Sequence, residues 1–68
     1  MLPDEVEDFR REAEARDWLR RGYTTAHDVN GLERRIAAKR GPEAAALLVE
    51  EMRRQWKRRD EWMGEGND

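Results

Sequence analysis

Gly41-Pro-Glu-Ala-Ala-Ala-Leu-Leu-Val-Glu50-Glu-Met-Arg-Arg-Gln-Trp56 reads as a helix from its first residue. Gly41 closes whatever precedes it. Pro42 suits the first helical position, where its missing N–H leaves no bond unmade. Glu43 stands near the positive end of the helix dipole, and the Ala-Leu run behind it is made of strong helix formers. Ala45, Leu48, Val49, Met52, Trp56 and Met63 recur on one face, with Arg59 filling the gap in the stripe. The spacing predicts a helix over 42–63, stopped by Gly64.

Upstream, Thr25 with Asp28 three residues later resembles a capping box. Ala26, Val29, Leu32 and Ile36 then give one apolar stripe, so a second helix is expected over 25–40. Gly31 within it costs about 1 kcal/mol relative to alanine. A first helix is expected over 3–21, with Pro3 in its first turn and Gly22 as its C-terminal stop. Glu7–Arg11, Glu12–Arg16 and Asp17–Arg21 are i,i+4 pairs in the favourable order, each contributing about 0.2–0.5 kcal/mol. The apolar residues of this helix are split. Leu2, Val6, Phe9 and Ala13 form one stripe, while Trp18 falls nearly opposite, with Ala15 and Leu19 on the second face. No stretch alternates with period two, and β-branched residues are scattered. The fold class expected is all-α: a small three-helix domain over 1–63, in the manner of an antiparallel bundle, with 64–68 as a disordered tail.

Composition bounds what such a chain does. It has 68 residues, 44% charged and 37% apolar, with mean hydropathy −1.22 and no cysteine. No stretch approaches the ~20 apolar residues of a membrane span. The acidic start is unlike a secretory signal, so the expected compartment is the cytoplasm. Without cysteine there is no disulfide framework and no thiolate chemistry. Fourteen basic residues, twelve of them Arg, nearly balance sixteen acidic ones for a net charge of −2. That balance is unlike a general nucleic-acid binder. The charge is blocked, however: residues 1–9 carry −4 and residues 52–59 carry +5. Sixteen Leu, Ile, Val, Met and aromatic side chains follow Met1, and a core of that size rarely supplies more than about 3–5 kcal/mol net. Self-association or partner binding would relieve that shortage and cover the split face of the first helix.

No constellation suggests catalysis. His27 is the only histidine, and its neighbour Asp28 does not face it on a helix. Thr24 and Thr25 lack an activating base and read as caps. Asp4-Glu5, Glu7-Asp8 and Glu50-Glu51 read as solvated helix surface rather than metal carboxylates. No glycine-rich phosphate loop is present, and no cofactor or metal is expected. Thr25-Ala-His-Asp-Val-Asn-Gly-Leu32 resembles the start of a helix-turn-helix, but nothing after Gly31 opens a recognition helix.

The pointed features are Arg53-Arg-Gln-Trp-Lys57-Arg-Arg59 and three tryptophans in a short chain. Arg53, Arg54, Lys57 and Arg58 project opposite the apolar stripe. They suit a phosphate-contacting face, or a surface laced by salt bridges through pairs such as Glu50–Arg54; the second reading is preferred. Trp56 lies on the stripe and is expected in the core. Trp18 and Trp62 lie off their stripes, and Trp is enriched at binding hot spots. Either the three helices bury all three tryptophans among themselves, or the exposed ones anchor a partner; on the second reading the partner-binding residues are Trp18, Trp62, Arg53, Arg54, Lys57 and Arg58.

Glu12-Ala-Glu-Ala-Arg16 leading to Leu19, the pair Arg34-Arg35, the turn Lys39-Arg40-Gly41 and an Ala-rich helix with Leu48 and Trp56 resemble a group of small uncharacterised phage and prophage proteins over about residues 12–58. The resemblance implies no activity. It implies a context: a non-enzymatic accessory protein that binds a host protein stoichiometrically, in the manner of inhibitors of bacterial defence such as anti-CRISPR proteins. A small nucleic-acid-binding regulator and a structural homo-oligomer are the alternatives.

Overall fold

The computed structural model describes residues 3–63. They form α1 (Pro3–Arg20), α2 (Ala26–Arg40), α3 (Pro42–Lys57) and a short α4 (Arg59–Trp62). Among the described residues there is no strand, and the domain is all-α as the periodicity requires. Residues 64–68, expected as a tail, and Leu2 of the first stripe lie outside the described residues.

The local signals act where they were read. The Thr25 hydroxyl accepts from the Asp28 N–H at 3.1 Å and caps α2. Gly41, with φ 96° and ψ 157°, occupies a region open essentially to glycine, so α2 can end and α3 begin at Pro42 with one residue between them. Gly22, φ 104°, turns the chain out of α1. Of the ion pairs expected on α1, Glu12–Arg16 closes at 3.8 Å and Asp17–Arg21 at 3.1 Å. Arg11 turns instead to Asp8, at 3.2 Å.

α3 is the central helix. α1 packs on one side of it and α2 on the other, and the α1 and α2 backbones do not approach closely. The domain is broad and flat, 37 × 36 × 15 Å, and its radius of gyration of 12.3 Å exceeds the roughly 11 Å of a compact chain this long. The core gathers Ala15 and Leu19 from α1, Leu32 and Ile36 from α2, Ala45, Leu48 and Met52 from α3, and Trp62. α1 thus buries its second face. Phe9 of the first stripe remains 73% exposed.

Two sequence expectations about α3 are corrected, and a third, for Trp62, follows from the first. Helix three is not continuous to residue 63. At Arg58, φ −103° and ψ 17°, the N–H is shared among the carbonyls of Arg54, Gln55 and Trp56, and α4 starts afresh. The turn is held by Arg59 Nη1, which donates to the Trp56 carbonyl at 2.9 Å, and by the Arg58–Glu61 pair at 3.1 Å. It swings Trp62 onto α1. There the indole is 7% exposed and donates to the Gln55 carbonyl at 3.0 Å. The Arg16 and Arg20 guanidinium carbons sit 5.5 and 5.2 Å from the ring centroid. Trp62 is therefore core rather than contact surface. The second correction concerns Glu51. It is buried, not solvated, because α3 packs helices on two sides and its buried arc is wider than one apolar stripe.

Candidate functional site

The expected basic face divides when its partners are traced. Arg54 donates to Glu51 through Nε and Nη2, at 3.2 and 2.8 Å, and has Glu50 at 4.0 Å. Arg58 lies against Glu61. Arg53 and Lys57 form no ion pair among the described residues. One helical turn apart, they border a groove of about 330 Å³ between the start of α2 and the second half of α3. Leu19, Tyr23, Val29, Val49, Met52 and Trp56 supply its apolar lining. Thr24, Thr25 and Ala26 bring the N-terminus of α2 to the groove, where Asp28 in the first turn offsets the positive end of the helix dipole.

The aromatic residues at this end are braced. Tyr23 stands edge-on to Trp18, with centroids 5.1 Å apart and rings at 84°. Its hydroxyl accepts from Arg35 at 2.9 Å. Trp18 is half-buried, donates to Glu14 at 3.2 Å and carries the Arg21 guanidinium 5.0 Å from its centroid. Trp56, also half-buried, lines the groove, with Arg59 4.5 Å from its ring centroid. Two indoles thus remain partly accessible. Trp18 is among the residues expected from the sequence. Trp56 takes the place of Trp62.

Behind the groove runs a polar network that sequence reasoning missed. Gln55, 1% exposed, donates to Glu51 at 2.7 Å and accepts from Arg16 Nε at 2.9 Å. Burial pushes the Glu51 carboxyl up, but hydrogen bonds from Gln55 and Arg54 and the charges of Arg54 and Arg11 outweigh it and hold it below the ordinary carboxylate value. Across the molecule Glu14 takes a two-pronged bond from Arg40, at 2.9 and 2.8 Å, which holds its carboxyl low and ties the end of α2 to α1. The available signal was spacing: Leu48, Glu51, Met52 and Gln55 follow the i, i+3, i+4, i+7 pattern of one buried face.

His27 is exposed on the first turn of α2. No group of three His, Asp or Glu among the described residues stands where it could hold a metal. No helix described is long and apolar enough to cross a membrane.

Residues 4–59 match the sequence profile described as Family of unknown function (DUF7696), and the chain belongs to that family. No curated protein and no solved structure matches it.

Proposed function

We propose that this chain is a small, non-enzymatic accessory protein that acts by binding another protein stoichiometrically, through the groove between α2 and α3. The observation that carries the reading is the pairing of an apolar trough with Arg53 and Lys57, two cations without carboxylate partners among the described residues. Neighbouring Arg54 and Arg58 are neutralised at home. A chain with so small a core gains by finishing its surface on a partner. Phe9, exposed on α1, offers a second apolar contact. The resemblance to small phage and prophage proteins supports a host protein as the partner and the host cytoplasm as the place. Inhibition of a defence complex, as by anti-CRISPR proteins, is the action that fits.

The test is affinity capture of the tagged chain from host cells, followed by mass measurement of the purified complex. A defined one-to-one complex that is lost in Arg53→Glu/Lys57→Glu, with helicity unchanged by circular dichroism, is the expected result. No reproducible partner, or retention of a short DNA duplex at low salt in its place, overturns it.

A further inference from the structure

We propose that the segment recognised in this groove is an acidic stretch of the partner protein carrying one bulky apolar side chain. The inference rests on the protein-binding reading and names the chemistry of the partner. The floor, Leu19, Val29, Val49, Met52 and Trp56, has no hydrogen-bonding side chain other than the Trp56 indole and suits an aliphatic or aromatic group. Its volume of about 330 Å³ lies at the small end of ligand sites (~300–1,000 Å³), which suits an anchoring side chain rather than a large cofactor.

The α3 wall is positive, with Arg53 and Lys57 spaced i,i+4, and the α2 wall is the capped start of that helix, with Asp28 in its first turn. A carboxylate beside an inserted apolar group would meet opposite charge on the α3 side. The same surroundings disfavour a long polyanion. Glu50, Glu51 and Glu61 already occupy Arg54 and Arg58, which do not line the groove. A nucleic-acid strand would find those cations taken. A short acidic peptide ends before reaching them.

The experiment measures fluorescence anisotropy of a labelled probe, Ala-Glu-Asp-Phe-Glu-Glu-Ala, titrated with the full chain. Three comparison probes are used: one with Ser for Phe, one with Lys for each acid, and a single-stranded oligonucleotide of equal length. Saturable one-to-one binding of the acidic probe is expected. It should weaken about tenfold or more in Arg53→Glu/Lys57→Glu and on replacing Phe with Ser, and it should fall with salt. The charge-reversed variant should in turn prefer the Lys probe, an exchange that a merely unfolded variant does not produce. Equal affinity of wild type and charge-reversed variant for the acidic probe, or binding of the oligonucleotide alone, overturns the proposal. So does sedimentation of the chain as a dimer abolished by the same variant, since the occupant is then a second copy. A host complex that survives Arg53→Glu/Lys57→Glu leaves protein binding standing but removes the groove as its seat, and this inference with it.

Discussion

Truncating Gln55 removes more than one side chain's worth of packing. Its amide holds the buried Glu51 on one side and Arg16 of α1 on the other, while its backbone carbonyl, which truncation leaves in place, receives the Trp62 indole. Three elements therefore meet at one residue. Gln55→Ala opens a cavity and leaves a buried carboxylate short of a donor. The expected loss is about 2–3 kcal/mol, read from the midpoint of urea unfolding. Gln55→Glu should be worse at neutral pH, because it sets a second carboxylate where the amide now donates at 2.7 Å. Part of that deficit should return on mild acidification. A midpoint unchanged in Gln55→Ala would show that the network contributes nothing. The residue stands inside a basic run and looks superficial there. Its burial follows from α1, which the run itself cannot reveal.

At the level of elements, glycines of opposite character separate local from tertiary control. Gly31 lies exposed in the interior of α2, and a Cβ added there meets nothing within 4 Å. Gly31→Ala should stabilise by about 0.5–1 kcal/mol through helix propensity and a less mobile unfolded chain. Gly41 also has open space around it, but its φ is 96°. Gly41→Ala should therefore destabilise, by about 1–3 kcal/mol, through backbone strain alone. Thermal unfolding of the two variants should shift in opposite directions, and a common sign would contradict the geometry. The Gly41-Pro42 junction and the Thr25 cap were legible because each is a property of adjacent residues. The break at Arg58 was not. Neither glycine nor proline marks it, and the reward for breaking is the burial of Trp62 against Arg16 and Arg20, some forty residues back along the chain.

For the molecule as a whole, acid should loosen the assembly of α1 on α2 and α3. Glu14, through its bonds from Arg40, and Glu51, despite its burial, both hold their protons less tightly in the fold than the ordinary carboxylate with its value of 4.5. Exposed Glu61, beside Arg58, shifts in the same direction. A carboxyl depressed in the folded state contributes fully above its unfolded value, and that contribution disappears as pH falls through the folded value. Thermal midpoints should thus be level from pH 7 to about 5 and decline below about 4.5. A midpoint that rises on acidification would contradict the assignment. With few buried side chains and a flat shape, the domain has a small margin to lose, about 3–5 kcal/mol by analogy with other domains of this size.

The three long helices, the Thr25 cap, the glycine junction and the apolar face of α3 are determined by the sequence alone, because each depends on propensity and spacing among residues within a few turns of one another. Tertiary structure decided which of two faces α1 buries, that Glu51 and Gln55 go inside, that Trp62 is core while Trp56 lines a groove, and which basic residues find an ion-pair partner among the described residues. Those outcomes depend on a central helix flanked on both sides, where burial is set by neighbours distant in the chain and no local periodicity records them.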